Sequence, residues 1–366
     1  MKENVYNISK LTFHKDKILS LAKGEISAPI YVRVKPTNRC NHACYYCSYI
    51  PDNDCPVSET MNFTDEIPKE KMFEILQDFK DMGVKAITYS GGGEPLIHPD
   101  ITEIMQKTLD LGIDLSIITN GQELKGKKAE VLKNAKWVRI SCGEMDAETF
   151  KKTRRRPESW FYELENNIKE FAKNKSPECE FGINFVVQNE NASKVYESVK
   201  FFKDLGVNHI KITPCWMPDF LNYHKPIKES VIEQVERARK EFQAQDFTVY
   251  DTYKNDFELT GLDERKYSKC FVMQTIPVIG ADSVVYFCHD KTYTNNGVLG
   301  SIKNRSFKDL WFSEEAAEIF KRFNPSISCK HHCTYDSRNI LTQEMINHIE
   351  EIEKYLPQDE KHKNFI

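Results

Sequence analysis

The 366-residue sequence predicts an α/β fold followed by a smaller α+β module, and three observations carry that expectation. One junction recurs along the chain. Asp81-Met82-Gly83 leads into residues 84–90, Asp110-Leu111-Gly112 into 113–119, and Asp204-Leu205-Gly206 into 207–213. Each copy is a helix end, a Gly where positive φ is common, an apolar strand and a closing hydroxyl residue. The stretches before these junctions have helical periodicity, with Met72, Leu76 and Phe79 on one face, as are Ile101, Ile104, Met105 and Thr108, and Val195, Val199 and Phe202. Helices alternating with buried strands mean a parallel sheet or barrel. Near the C-terminus this rhythm stops. Val284-Val285-Tyr286-Phe287 reads as one strand of a hairpin, and 308–320 as a helix.

Taken in order, residues 1–30 are a lead-in with one helix over 11–21 and no chemistry. Six strands follow, near 31–36, 84–90, 113–119, 136–141, 181–187 and 208–213, with Pro68 and Pro99 in first helical turns. In a barrel the chemistry lies at the C-terminal strand ends. Those ends are Ser90, Thr119-Asn120-Gly121, Ser141-Cys142, Gln188 and Thr213-Pro214-Cys215. Residues 221–265 read as a charged helical bridge with Ile232, Val235 and Ala238 as its apolar stripe. Residues 266–340 form the second module. A final amphipathic helix over 342–356 presents Met345, Ile349, Ile352 and Leu356, to pack on the barrel or on a second subunit.

Composition narrows the function. Apolar residues at 40% and aromatics at 11% suit a real core, and a net charge of −4 gives no global signal for nucleic acid or an anionic membrane. No apolar run approaches a membrane span, and the N-terminus lacks a signal-peptide pattern. Eleven cysteines in such a chain read as cytoplasmic metal or redox ligands.

The densest chemistry is Cys40-Asn41-His42-Ala43-Cys44-Tyr45-Tyr46-Cys47, directly after the first strand. Three thiolates at this spacing suit one cubic iron–sulfur cluster and leave one iron open. A closed zinc site is the rival, with His42 or Cys55 as fourth ligand. After the second strand comes Gly91-Gly92-Gly93-Glu94-Pro95, a turn that lets backbone approach a ligand or simply closes a loop. A second set, Cys270, Cys288, Cys329 and Cys333, can complete a cluster shell or hold structural zinc; spacing alone leaves both open.

The C-x3-C-x2-C run, with an aromatic before its last Cys, and the glycine turn resemble the radical S-adenosylmethionine (SAM) superfamily. The resemblance implies a partial (β/α)6 TIM-like barrel. It also implies a [4Fe–4S] cluster on Cys40, Cys44 and Cys47 whose open iron chelates SAM. Gly92, Gly93 and Glu94 then serve the methionine amino group, Asn120 and Ser141 the SAM pocket, and Tyr46 the adenine. Ser141-Cys142-Gly143 departs from the usual S-x-D, which weakens the ribose assignment. C-x17-C, a helix and C-x3-C resemble the twitch module, the shortened SPASM domain, and imply an auxiliary [4Fe–4S] cluster.

The implied activity is hydrogen abstraction from a small polyol (a sugar, aminocyclitol or nucleotide sugar). Dehydrogenation, with electron transfer to the auxiliary cluster, is the leading reading. A radical epimerase using Cys142 or Cys215 as hydrogen donor is one alternative. Modification of a ribosomal peptide is another, and a non-catalytic cluster-bearing binding protein is the rival from outside the enzymes. The expected partners are a small-molecule substrate and an external one-electron donor such as flavodoxin or ferredoxin, without nucleic acid or membrane. Cys55 and Cys179 read as structural. Arg154-Arg155-Arg156 reads as a solvated turn, or as one arginine aimed into the barrel at a phosphate or carboxylate.

Overall fold

The computed structural model describes residues 5–50, 58–217, 219–254, 265, 267, 269–329 and 333–366. Cys55 lies outside them. Seven parallel strands run in sequence order across the sheet: β1 (Tyr31–Val34), β2 (Ala86–Tyr89), β3 (Asp114–Thr119), β4 (Trp137–Ser141), β5 (Glu180–Val187), β6 (His209–Pro214) and β7 (Thr248–Asp251). Side chains pointing outward from the sheet pack under the helices. Val32, Val34, Ile87, Ile117, Val138, Ile140, Ile183, Phe185, Ile210 and Ile212 belong to one core with Met72, Leu76, Phe79, Ile104, Val199 and Phe202. The three junction glycines take φ of 80° (Gly83), 72° (Gly112) and 89° (Gly206), the left-handed turn that ends each helix.

The strand count needs correcting from six to seven. β7 falls inside the stretch read as a helical bridge and pairs with β6, His209 beside Thr248 and Lys211 beside Tyr250. The bridge keeps a helix, Lys228–Phe242, with Val231, Val235 and Ala238 buried. The C-terminal module does not make a sheet of its own. β8 (Val278–Ile279) pairs parallel with β1, and β9 (Val284–Tyr286) and β10 (Val298–Ser301) continue outward antiparallel. One ten-stranded sheet, in the order β10-β9-β8-β1 through β7, therefore spans both modules.

Several helices break where the sequence reading joined them. The lead-in is a 3₁₀ turn, Ile8–Phe13, and a helix, Lys15–Lys23, parted at His14. Residues 308–320 split into Phe307–Trp311 and Glu314–Arg322, because the Ser313 hydroxyl caps the second helix by accepting from the Ala316 N–H. The last helix begins early, Asp336–Asn347, and passes into a 3₁₀ stretch, Ile349–Tyr355. Met345 and Ile352 are buried, whereas Leu356 is exposed. Pro68 caps the helix Lys69–Met82, and Pro99 lies in the turn before Ile101–Asp110. The chain ends join Tyr31, Val272, Phe287 and Tyr335 in a second apolar cluster. Among the described residues no helix is long and apolar enough to cross a membrane.

Candidate active site

The inward face of the barrel is polar. Along β4, Trp137, Arg139 and Ser141 keep solvent contact while Val138 and Ile140 are buried. The same alternation leaves Arg33 on β1, Asn184 and Val186 on β5, and Lys211 and Thr213 on β6 accessible between buried neighbours. A closed TIM barrel fills this space with branched aliphatic layers. Arginine, lysine, amide and hydroxyl side chains line this inner face instead.

The cysteine loop crosses the top of this lumen. Its entry is fixed by the glycine turn, where Gly93 N–H donates to Thr37 O (3.1 Å) and Glu94 N–H to Arg39 O (2.8 Å). A Cβ on Gly92 would land on Asn38 Oδ1, and one on Gly93 on the Arg39 carbonyl. These glycines are thus required by the loop's own backbone. Glu94 is buried with both carboxylate oxygens used inside the protein. Oε1 accepts from Thr119 Oγ1 (2.6 Å) and Leu96 N–H (2.9 Å), and Oε2 from Asn120 N–H (2.6 Å). Burial still raises its pKa. Its side chain locks β2 to β3. Asn120 Nδ2 donates to Asn41 Oδ1 in the cysteine loop (2.7 Å).

The far side of the loop is held by Arg154 and Arg156, whereas Arg155 between them is exposed in a left-handed turn (φ 52°). Ala43 N–H donates to Arg154 O (3.1 Å), Tyr45 N–H to Thr153 O (3.2 Å), and Arg156 Nε to Asn41 O (2.5 Å). Arg154 is buried against Glu144, Nη2 to Oε2 at 2.9 Å. It also donates to the Ser141 carbonyl (2.8 Å), reaches Cys44 Sγ (3.6 Å) and lies 5.7 Å from the Tyr46 ring centre. Tyr46 is within electrostatic reach of Cys44, Arg154 and Cys215.

Cys142 is a correction. Strand parity puts Ser141 inward, so Cys142 turns outward into the core, where its thiol donates to Glu144 Oε2 (3.4 Å). Burial pushes that thiol up, and it does not face the mouth. Cys215 is two residues beyond Thr213 and keeps the inward parity; it is buried. Cys179 sits in the core. His42 packs edge-on to Phe150 (5.6 Å) and beside Trp160 (5.9 Å), not with the thiols as a zinc ligand.

The second thiol set lies in the C-terminal module. Cys288 and Cys333 are buried in the second apolar cluster, and Cys270 packs against it. Burial raises Cys270 to about 12, with the Cys333 and Cys329 thiols adding to the shift, and Cys333 to about 11, with Asp290 adding to it. Thiols so placed become ligands only when a metal supplies positive charge. Donors are aimed at them: Asn339 Nδ2 at Cys270 Sγ (3.6 Å) and the Tyr267 hydroxyl at Cys333 Sγ (3.9 Å). Arg265 bonds the Cys329 carbonyl and pairs with Asp336 (both 3.0 Å). Donors on cluster sulfurs are the usual second shell of an iron–sulfur site. Among the described residues no three His, Cys, Asp or Glu side chains converge on one ion-sized point.

Residues 34–202 match the Radical SAM superfamily model, and 270–334 match the SPASM iron–sulfur cluster-binding domain. The chain belongs to the radical SAM superfamily. Its cofactors are SAM, a [4Fe–4S] cluster and an auxiliary iron–sulfur cluster in the SPASM module. Curated relatives include the GTP 3′,8-cyclase of Limosilactobacillus fermentum, 34% identical over 33% of this chain and 34% of that protein. That of Lactiplantibacillus plantarum is 30% identical over 49% and 52%. The chain thus spans about half or less of the relatives' length. Streptococcus suis SuiB, solved with its precursor peptide SuiA, superposes with TM-score 0.62 at 17% identity over 88% of this chain and 74% of that one. The anSMEcpe structure with bound AdoMet gives 0.58 at 17% identity over 89% and 99%. These two likenesses concern the fold.

Three features escaped the sequence reading: the inward arginines, Lys35 beneath the glycine turn, and Tyr6. Lys35 is fully buried and donates to Gly91 O (2.7 Å) and the Tyr49 hydroxyl (2.6 Å). Tyr6 enters the barrel floor, its hydroxyl 2.9 Å from His209 Nε2. Strand parity applied to Arg33, Lys35 and Arg139 was a usable signal; nothing in sequence marked Tyr6.

Proposed function

We propose that the protein is a radical SAM oxidoreductase that dehydrogenates a small polyol, a sugar, aminocyclitol or nucleotide sugar, within the lumen. The observation that carries this reading is a hydroxyl- and amide-lined lumen with an open thiol loop above it and a buried thiol set beside it. In this reading Cys40, Cys44 and Cys47 hold the first cluster, and Cys270, Cys288, Cys329 and Cys333 the auxiliary one. When bound, SAM and the clusters supply a hydrogen-abstracting 5′-deoxyadenosyl radical and an acceptor for one electron. The chain's own part is positional. Glu94, Asn120, Arg154 and Arg156 hold the loop over the lumen. The Gly91–Gly93 backbone, Ser141 and Tyr46 are the surfaces offered to SAM. Ser90, Asn184 and Thr213 face the substrate with neutral polar groups. A flavodoxin or ferredoxin delivers the starting electron.

Cys215 supports a second reading. It faces the mouth within reach of Tyr46 and could return hydrogen to the opposite face of a substrate radical, giving epimerisation. One experiment separates the two. Anaerobically reconstituted, dithionite-reduced protein is given SAM and a polyol panel in deuterated water, with Cys215→Ala in parallel. Dehydrogenation gives 5′-deoxyadenosine, a carbonyl product without solvent deuterium, and near-normal rates in the variant. Deuterium at an inverted carbon, lost in Cys215→Ala, overturns it in favour of the epimerase. No 5′-deoxyadenosine at all overturns both.

A further inference from the structure

Buried or half-buried charges in proteins are paired, because an unpaired one forfeits its hydration without return. The lumen breaks this rule three times. Arg33 donates to the Tyr31 hydroxyl (3.2 Å) with Asp290 adding to the field that favours its charge, and Arg139 donates to the Tyr6 hydroxyl (3.5 Å) and lies 5.7 Å from the Trp137 ring centre. Arg338, from the helix Asp336–Asn347, lies 5.5 Å from the Tyr335 ring centre, and the Arg33 guanidinium lies 6.0 Å from the same ring. Among the described residues no carboxylate stands at ion-pair distance from any of the three. Nε of both Arg139 and Arg338 is buried without a hydrogen-bond partner.

Strand alternation turns Arg33 and Arg139 to the same inner face of the sheet, and Arg33 and Arg338 flank one Tyr335 ring. Arg338 is lowered by burial and by the nearby Arg33 charge. The carboxylates close by are engaged. Glu180 pairs with His209 (3.1 Å) and Lys361 (2.5 Å), and Asp290 accepts from the Thr334 hydroxyl and N–H (2.8 and 3.0 Å). Other buried donors and acceptors around the lumen are also idle: Ser90 Oγ, both Gln188 side-chain atoms, His289 Nδ1 and the Tyr335 hydroxyl.

We propose that the lumen receives an anionic group of the substrate, a phosphate or a carboxylate, on the guanidiniums of Arg33, Arg139 and Arg338. This rests on the lumen being the substrate chamber and narrows the substrate class to an anionic one. Guanidinium forks match both oxyanions in geometry as well as charge. Two competing uses of the charge have their own residues. Arg154, already paired with Glu144, serves the cysteine loop, and Arg265 serves the auxiliary thiols.

The test is calorimetry on the anaerobically reconstituted full chain saturated with SAM. Inorganic phosphate, pyrophosphate and malonate are the probes, and glycerol is the uncharged control. The anions bind and glycerol does not. Arg33→Gln and Arg139→Gln each weaken binding at least about tenfold, while Arg139→Lys restores part of it. Iron content and SAM affinity stay at the wild-type level in these variants. Tighter phosphate or pyrophosphate assigns a phosphorylated substrate, and tighter malonate a carboxylate. Three results overturn the proposal: no anion binds the wild type, the variants bind as well as the wild type, or the anions compete with SAM. Should a Gln variant lose iron, Arg139→Lys and the wild-type competition with SAM still decide. Release of 5′-deoxyadenosine by the reduced wild type reports separately on the radical reading.

Discussion

The cysteine loop and the thiols of the SPASM module are held in opposite ways. Cys40 is exposed, and Cys44 and Cys47 are half-buried. Their loop is fixed from beneath and beside by polar contacts: the glycine turn, Asn120, and residues 153–156. Cys288 and Cys333 are instead buried in an apolar cluster built from both chain ends, with single donors aimed at the sulfurs. An open, polar mount leaves room for a ligand on the metal. The second mount is apolar around Cys288 and Cys333, with Cys270 and Cys329 half-buried at its edge.

The comparison breaks first at the loop. Cys44→Ala should abolish 5′-deoxyadenosine formation and remove about four irons per chain, read by iron analysis and chromatography. Retained SAM cleavage would mean that the loop is not the SAM site. Arg154→Ala comes next. It leaves the buried Glu144 carboxylate without its cation, though still hydrogen-bonded by Thr153 and Gly143, a loss of about 3–5 kcal/mol, and frees one side of the loop. Melting should drop, and iron loading of the first cluster should fall before that of the second.

The closed side should respond to acid. Burial lowers His362 to about 3, and its neighbours Phe365 and Ile366 sit in the second cluster. Because the folded pKa lies below the unfolded one, the unfolded chain binds more protons between about pH 6.5 and 3. Stability from this group is complete above that window and is lost as pH falls through it. The slope is at most about 1.4 kcal/mol per pH unit. His362→Gln should flatten the melting curve between pH 6.5 and 5; an unchanged slope would refute the assignment. The smallest effect is that of Cys142→Ala. A core thiol replaced by methyl should cost about 1 kcal/mol and leave turnover unchanged.

Much of this was legible in the sequence. Helix faces such as Met72-Leu76-Phe79 and the junction glycines were readable because local periodicity and φ decide them. The two thiol-bearing modules were readable because the first motif is short and the second resembles a known domain, and residues 34–202 and 270–334 match those families. What was missed depends on long-range pairing. β7 is four residues beside charged neighbours and becomes a strand by pairing with β6. Continuity of the sheet through β8 requires β1 to be the edge it meets. Cys142 was misplaced although parity forbids it from sharing Ser141's face. The roles of Arg154 and Glu94 follow from partners more than nine residues away.

The central claim is one chain with two separately mounted clusters, only one of which cleaves SAM. The most direct measurement is iron, sulfide and zinc analysis, with 5′-deoxyadenosine assay, on wild type and Cys270→Ala/Cys288→Ala after anaerobic reconstitution. The account predicts about eight irons in the wild type and about four in the double variant, which still cleaves SAM but no longer turns over substrate. Zinc with about four irons in the wild type, or loss of SAM cleavage together with the second set, would contradict it.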